Sequence, residues 1–498
     1  MYNKFSDTVQ RLHADAFPCI NETINLNKNH RPWITRGIRK SITKKNHLYK
    51  NYIKHRTEKS HSIYKSYRNK LTKVLRKSEK SYYLQKLQNC KNNLAKTWKI
   101  LNSVTSRTRS KHSIDEIIGI NTNSVITDPN IIANKFNHFF ASIGSNLAKN
   151  ISPVSKKFKD FLPLNNPNSI FLKPTDNLKI KKIILDLRNS YSKGYDNLSV
   201  DIIKNCSTEL ARPLSIIFNK SIEMGTVPDE LKVAKIIPIY KCDDKKLISN
   251  YRSISILPVF SKILEKVLYN RLLEFIDKHN ILSSNQYGFR KNTSTSMALL
   301  DLVDKISASI ENNEYTIGIF LDLAKAFDTV NHDILLSKLF HYGIRGSAYD
   351  WFKSYLTNRL QYVSLNNFQS KKLPVICGVP QGSILGPLLF LLYINDLCSV
   401  TKLLSFIMFA DNTNIFISGK NINDLTQIAN NEMNIISAWF SANLLSLNLK
   451  KTNYILFGNK KMPDTCIKLN NEAISRVYQT KFLGVLIQAN LKWNEHSK

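Results

Sequence analysis

The chain has 498 residues, and 72 Lys and Arg against 37 Asp and Glu give it a formal charge of +35, with aromatics at 10%. That length allows about three domains. Such an excess of cations points to a polyanionic partner through phosphate neutralisation and counterion release, with an unpartnered basic surface as the plainer alternative. Cys19, Cys90, Cys206, Cys242, Cys377, Cys398 and Cys466 are scattered without CxxC or zinc-ligand spacing. They exclude a disulfide scaffold or zinc finger and read as reduced thiols of an intracellular protein, nuclear or cytoplasmic. Met1 is followed by polar residues rather than a signal peptide. The longest apolar run, Val375 to Ile394, is broken by Gly378, Pro380, Gln381, Gly382, Gly386 and Pro387, so it reads as a buried loop and helix and not a membrane span.

Residues 1–150 read as a basic helical N-terminal extension, and residues 1 to about 115 are its most basic part. Between Arg31 and Lys99 there are 21 Lys and Arg, against Glu58 and Glu79 alone. Tyr67, Leu71, Val74, Leu75 and Tyr82 recur at helical spacing, which predicts a long helix with one apolar stripe. Tyr49, Tyr52, Tyr64, Tyr82, Tyr83 and Trp98 interleave with the cations. That combination neutralises a phosphate backbone and stacks on unpaired bases; the blander reading is a helical pair whose aromatics pack together. Asp128-Pro129, followed by Ile132, Phe136, Phe139, Phe140 and Ile143, predicts an amphipathic helix with Asp at the N-cap and Pro at N1. Residues 151–176, rich in Pro, Asn and Ser, read as a linker into a region spanning 177–498.

That region opens on Ser192-Lys193-Gly194-Tyr195-Asp196-Asn197-Leu198, a glycine turn into a helix. Leu231 to Lys241 is an apolar strand bracketed by cations, and Asn250-Tyr251-Arg252-Ser253-Ile254-Ser255 follows it across an acidic turn with Asp243 and Asp244. Ile263, Leu264, Val267, Leu268, Leu272 and Phe275 trace an amphipathic helix over 261–279. Thr316 to Asp322 is an apolar strand ending in an acid, with a helix start expected after it. Ser405 to Ser418 sets two apolar runs around a short polar turn, a β-hairpin with Asp411 at its tip. Charge at such a tip costs stability unless it is paired or binds a metal. Two strands that each deliver an Asp to a shared edge make a seat for hard cations. Two such ions can clamp the attacking and leaving oxygens of an in-line phosphoryl displacement.

Phe320-Leu321-Asp322 with Lys325-Ala326-Phe327-Asp328, then Gly378-Val379-Pro380-Gln381-Gly382-Ser383-Ile384-Leu385-Gly386-Pro387-Leu388-Leu389-Phe390, then Phe409-Ala410-Asp411, stand in a telling order. They resemble the palm motifs of reverse transcriptases from non-LTR retrotransposons (LINEs), the jockey-like branch above all. Group II intron maturases have a similar palm. The run from Ser383 to Phe390 fits the LINE branch better, as does Arg31-Pro32-Trp33-Ile34-Thr35, which resembles the start of a jockey-type linker between endonuclease and polymerase. The resemblance covers most of the chain and implies an α+β fold. Right-hand fingers and palm with a small antiparallel sheet would follow a basic helical N-terminal region. It also implies a truncated copy, with no endonuclease domain ahead, no terminal zinc knuckle, and a thumb largely absent beyond Lys498.

The implied reaction is extension of a DNA 3′-hydroxyl by deoxynucleoside triphosphates on an RNA template, with two Mg2+ ions and Mn2+ as a substitute. Asp322 and Asp411 would ligate metal. Lys241 and Arg252 would hold the triphosphate, with solvated strand ends as the alternative. Phe327 would exclude a 2′-hydroxyl by volume, or else be a core aromatic. Gln381, Gly382 and Ser383 would underlie the template base and nucleotide. Lys451, in the Leu445–Phe457 run, would face the leaving pyrophosphate. Arg290 and the amides near Gly288 would touch the template, or form a glycine turn with surface cations. Phe482, Leu483 and Gly484 would grip the primer.

Two positions depart from the family pattern. Ser253 replaces a usual proline. Asn412 stands where a second acid is expected beside Asp411, keeping the shape and a carbonyl oxygen but losing the charge. Weakened electrostatics at a triphosphate costs orders of magnitude in rate, so severely impaired polymerisation is expected. The rival reading is a catalytically inactive nucleic-acid-binding relic. The implied partners are an RNA template, a DNA primer or target and deoxynucleoside triphosphates, with no membrane; the sequence leaves oligomeric state open.

Overall fold

In a computed structural model the chain is described at residues 1–18, 31–90, 93–105, 114–119, 124–365, 368–458, 463–470 and 472–491. Cys19 lies outside the described residues, and the other six cysteines are free thiols. The chain divides into two compact units, Pro18–Ser113 and a larger one of Met1–Phe17 with Ile114–Lys498. Among the described residues no helix is long and apolar enough to cross a membrane.

In the smaller unit the expected long helix is Glu58–Gln88, which carries Tyr67 to Tyr82, and a second helix, Arg36–His55, precedes it. Arg36–His55 is capped by Thr35, whose hydroxyl accepts from the Ile38 amide at 3.3 Å, and it ends at Arg56 in a left-handed conformation (φ 49°). Thr57 then caps Glu58–Gln88. The break falls where Arg56 and Thr57 offer a helix stop followed at once by a helix start. The aromatics hold the pair together. Tyr49 and Tyr64 rings lie 5.2 Å apart, Tyr52 and Tyr64 stack at 6.3 Å, and Trp33 meets Tyr83 at 5.4 Å. Of the expected stripe, Leu71 is buried and Val74 is exposed.

In the larger unit five strands form the central sheet. With β1 (Val233–Tyr240), β2 (Tyr251–Ile256), β3 (Tyr315–Leu321), β4 (Arg359–Leu365), β5 (Ser405–Phe409), β6 (Asn412–Gly419) and β7 (Asn453–Phe457), its order is Ser475–Arg476, β7, β3, β6, β5. The β7–β3–β6–β5 pairings are antiparallel, and Ser475–Arg476 runs parallel to β7. Side chains alternate across it with period two. Ile317, Ile319, Leu321, Phe406, Met408, Ile415 and Leu456 face a core shared with the helices Leu385–Ile394 and Ile422–Ala442. Phe320, Ile407, Phe416, Ile455 and Phe457 face a second core shared with the helix Thr295–Glu311. Gly318 makes room there, because a Cβ at this position would lie 2.8 Å from the Phe457 ring and 2.9 Å from Phe416. Covered on both faces, β3 is nearly continuously apolar. This is the small antiparallel sheet expected of a palm.

A second sheet has the order β2, β1, β4, Phe368–Gln369, with Leu373–Val375 also pairing to β4. β1 and β2 form the expected antiparallel hairpin, with Ile239 opposite Arg252. Its parallel partner β4 was not legible in sequence. The helix Pro129–Lys149 starts as expected, Asp128 accepting from the amides of Asn130 (2.7 Å) and Ile131 (3.3 Å). It covers this second sheet, with Ile132 and Phe136 packed among Ala234, Ile236, Tyr251 and Val363. The boundary drawn at 150 therefore does not coincide with the one in the structure, because this helix has its apolar partners downstream.

Residues 151–176 are an anchored strap and not a free linker. Ile170 and Leu172 are buried in the main core, and Arg345 donates to the carbonyls of Asn166 and Asn168. Asn219 exchanges hydrogen bonds with the backbone of Thr175 at 2.7 and 2.8 Å. The helix Tyr2–Ala16 also joins this core, through Phe5 on Phe260 at 5.3 Å. The buried pair Lys338–Asp396 ties three helices, since Asp396 also accepts from the Trp439 indole at 2.8 Å. Such a pair fixes geometry more than it adds stability.

The leading glycine motif forms the expected turn into a helix, Val200–Asn205. Gly194 lies against Pro258, where a Cβ would approach its backbone to 3.1 Å. Asp196 is 5% exposed, and one of its oxygens has no partner. Burial pushes its carboxyl up from 3.8 to about 6. The folded chain thus holds this proton more tightly than the unfolded chain, and the associated stability is lost as pH rises through about 6. Asp196→Asn should therefore stabilise the protein at pH 8 by up to about 3 kcal/mol, with the gain vanishing near pH 4. Denaturant unfolding at the two pH values measures it.

Candidate active site

The register of β3 against β6 places Leu321 opposite Thr413, so the chain leaves β3 at Asp322 beside the turn between β5 and β6. That turn is Ala410-Asp411, with Ala410 in a left-handed conformation (φ 56°). The two carboxylates thus arrive on one sheet edge from different strands. They open into a cleft of ≈510 Å3, also lined by Asn412, Lys451, Lys241, Arg252, Phe327 and Gln381. Every residue expected to touch metal, triphosphate or sugar is in this cleft. Gly382 and Ser383 follow Gln381 but are not among its lining residues: Ser383 is buried and caps the following helix by accepting from the Gly386 amide at 3.0 Å. Gly382 (φ 124°) leaves no room for a side chain, since a Cβ would stand 2.5 Å from the Ser255 carbonyl oxygen.

The helix start expected after Asp322 is absent. Residues 324–328 form turns, with Lys325 in a left-handed conformation (φ 52°), and the helix begins only at His332, capped by Asn331. The reason lies downstream. The segment from Leu444 to Thr452 wraps the strand end: the Asn448 amide donates to the Asp322 carbonyl at 2.8 Å, and the Ala324 amide to Ser446 at 2.9 Å. Lys451 reaches the cleft through this segment.

Burial first, and then the charge of Asp322, raise the Asp411 carboxyl above its ordinary value, while Arg252 and Lys241 pull it down. Burial first lowers the Lys325 ammonium, Asp328 supports it, and Lys241, Arg252 and Lys451 depress it further. Lys241, Arg252, Lys325 and Lys451 thus share one cleft with the repelling carboxylates Asp322 and Asp411 and with Asp243 and Asp328, and Lys325 was not singled out in the sequence. Its ammonium donates to the Tyr251 carbonyl at 3.0 Å. Among the described residues no group of three or more His, Cys, Asp or Glu side chains gathers for a metal. The donor set on this edge is Asp322 and Asp411, hard oxygen ligands whose mutual repulsion a divalent cation would relieve. Asn412 is exposed and directs its amide towards the Phe409 carbonyl at 3.5 Å.

The other expected contacts stand apart from the cleft. One Arg290 nitrogen donates to the Ser283 (2.7 Å) and Gln286 (3.3 Å) carbonyls, so it shapes its own loop. Gly288 backs onto the hairpin tip, where a Cβ would meet the Ala410 nitrogen at 2.3 Å. Phe482 is buried, its ring 6.3 Å from that of Phe320, and Leu483-Gly484 (φ 47° and 92°) turn the hairpin Gln479–Phe482 and Val485–Gln488. Phe327 is held by Phe390, ring on ring at 4.6 Å.

A residue missed in sequence secures the tip. Gln286, 2% exposed, accepts through Oε1 from the amides of Gly288 (2.7 Å) and Ala410 (2.9 Å). Gln286→Leu would leave both donors buried and unpaired, so it should lower stability by about 2–4 kcal/mol. Hydrogen exchange at the Ala410 amide should also accelerate; unchanged exchange would show that the tip does not depend on Gln286.

Residues 241–487 match the family described as reverse transcriptase (RNA-dependent DNA polymerase). The RNA-directed DNA polymerase from mobile element jockey of Drosophila melanogaster is 29% identical over 326 residues, 64% of this chain and 36% of that protein. The probable RNA-directed DNA polymerase from transposon BS of the same species is 26% identical over 488 residues, covering 93% of this chain and 52% of the relative. A third, from transposon X-element, is 26% identical over 328 residues, 65% of this chain and 36% of its own length. The chain thus spans about half or less of the length of these relatives. Motifs, sheet and cleft agree with these matches, and residues 241–487 of the chain belong to the reverse transcriptase (RNA-dependent DNA polymerase) family.

Proposed function

We propose that the cleft is the nucleotidyl-transfer site of an RNA-directed DNA polymerase of the non-LTR retrotransposon type, acting inside the cell, in nucleus or cytoplasm. The observation that carries the reading is the convergence of Asp322 and Asp411 with Lys241, Arg252, Lys325 and Lys451 in one cleft. Asp322 and Asp411 would hold divalent ions, Mg2+ or in its place Mn2+. Bound ions would supply charge neutralisation at the reacting phosphate and activation of the primer 3′-hydroxyl. Lys241, Arg252 and Lys325 would neutralise the triphosphate, and Lys451 the departing pyrophosphate. Phe327, fixed by Phe390, would set the floor beneath the sugar and exclude a 2′-hydroxyl by volume. Gln381 and Gly382 would bear on the nucleotide and template base. Gly288, Arg290 and the Phe482–Gly484 turn would shape the surfaces met by template and primer.

Asn412 sets the limit on this activity. With Asn412 beside Asp411, the edge is one negative charge short of the family pattern, so we expect polymerisation to be severely impaired while nucleic-acid binding persists. The basic helix pair Arg36–His55 and Glu58–Gln88 supports that second reading, a binding protein without catalysis. Its aromatics are largely spent on one another, so its cations would grip the phosphate backbone.

Primer extension on an RNA template with Mg2+ or Mn2+ separates these readings. Asn412→Asp should extend the primer at least about a hundredfold faster than the natural protein, the usual scale for a lost electrostatic contact to a transition state, and Asp322→Ala should not extend it at all. Equal extension by the natural protein and Asn412→Asp would contradict the impairment. If no form extends the primer yet all bind template, the chain is a binding relic.

A further inference from the structure

A second basic groove, of ≈550 Å3, lies outside the cleft, between the strap, the helix Asn177–Asp186 and the helix Val259–Lys278. Lys173, Lys179, Lys182 and Arg188 come to it from the strap and the first helix, and Lys266 and Arg271 from the second. Only two carboxylates, Asp186 and Glu274, line it with them. Among the described residues, Lys179 alone of these six cations forms an ion pair, with Asp176 at 3.1 Å. That pair is exposed and contributes little. Lys173, Lys179, Lys182 and Arg188 are exposed, whereas the apolar lining residues Ile183, Leu187 and Ile384 are half-buried. The groove thus has a cationic rim over an apolar floor.

The backbone that shapes it is fixed. Arg271 donates to the carbonyls of Lys173 (2.5 Å) and Val267 (2.8 Å), which ties the strap to the second helix. Asn219 holds Thr175 through the two bonds already described. Glu265 accepts from the Ile384 amide at 2.6 Å and sets the floor against the same helix. Like charges gathered on fixed chain repel one another, and a polyanion relieves that cost.

The shape narrows the class of polyanion. A compact anion would meet part of the rim and leave the floor bare. A membrane surface would call for projecting apolar side chains, and these three are recessed. A duplex offers phosphates but keeps its bases paired away from the floor. A single strand offers both a row of phosphates and unpaired base and sugar faces.

We propose that this groove is a second nucleic-acid site, separate from the cleft, which holds the backbone of a single-stranded segment without regard to sequence. No aromatic ring lines it to stack on a base, so recognition is through phosphate. Ile384 is three residues from Gln381, a lining residue of the cleft, so the two openings are joined by at most about 11 Å of chain. A strand in the groove is held close to the cleft whether or not the cleft is occupied or catalytic.

Two measurements on the full chain test this, with a short oligouridine RNA and an oligothymidine DNA as probes. In the first, lysine acetylation is followed with and without the strand. Lys173, Lys182 and Lys266 should be protected, while Lys353, Lys402 and Lys420, exposed elsewhere on the same unit, should react as before. In the second, binding is followed over a range of salt for the natural protein and for the triple variant Lys182→Gln, Arg188→Gln, Lys266→Gln. Loss of three phosphate contacts should weaken binding and make its fall with log salt shallower by about two. RNA and DNA should suffer alike; weakening of one alone would identify that strand as the occupant. The control triple variant Lys353→Gln, Lys402→Gln, Lys420→Gln should bind as the natural protein does. Unprotected groove lysines, or equal weakening by both triple variants, would overturn the proposal. Stronger protection of the same lysines by phosphatidylserine vesicles would assign the groove to a membrane surface and overturn it as well.

Discussion

Two carboxylates are forced together at the edge of an apolar sheet, and much of the larger unit follows from holding them there. Asp322 leaves the end of β3 where β6 has just begun, and Asp411 sits in the two-residue turn before it. Their repulsion and their burial both oppose the charged state of Asp411. A soft scaffold would relax by splaying the turn away. Here Gln286 ties the turn from behind through two amides, and the segment around Asn448 ties the strand end. Charge that is costly to assemble is thereby kept at one edge, open to the cleft.

The rest of the packing serves the same edge. Period-two alternation on β3, β5, β6 and β7 sends one set of side chains to each of two cores, so the sheet is clamped on both faces and its register cannot slip. Glu265, 1% exposed, accepts from the amides of Ile384 (2.6 Å) and Leu385 (3.2 Å) and from the Tyr355 hydroxyl (3.1 Å). It fixes the start of the buried helix that carries the Gln381–Ser383 loop. The second sheet contributes cations to the rim, and Lys325 bonds back to it at Tyr251. The cleft is thus bounded by elements of both sheets, and Lys325 bonds from the loop after β3 to β2.

Much of this was legible in the sequence because it follows from local pattern. The capped helix at Pro129, the hairpin of β1 and β2, the hairpin at Asp411 and the buried loop and helix after Val375 each carry their own periodicity and end signals. What was missed depends on distant partners. The parallel pairing of β1 with β4 joins segments more than a hundred residues apart in sequence, and no local pattern announces it. The strap at 151–176 looks like a linker because its anchors are backbone groups met by Arg345, Arg271 and Asn219, which composition does not show. The turns after Asp322 replace a helix because tertiary bonds to the Ser446–Asn448 backbone claim the groups a helix would use. Within the cleft, the lining residues Asp322, Asp411, Lys241, Arg252, Phe327, Gln381 and Lys451 were readable from motifs. Their supports, Gln286 and Lys325, were not, because their roles lie in which atom faces which neighbour.

The most direct test of this account is equilibrium binding of the Mn2+ complex of a deoxynucleoside triphosphate to the natural protein and to the Asp322→Asn, Asp411→Asn double variant. If the two carboxylates form the ion seat, the natural protein binds the complex and the double variant binds it at least about tenfold more weakly, the scale of one lost charge-assisted contact. Undiminished binding by the double variant would contradict the account, because the edge on which the fold converges would then hold no ion.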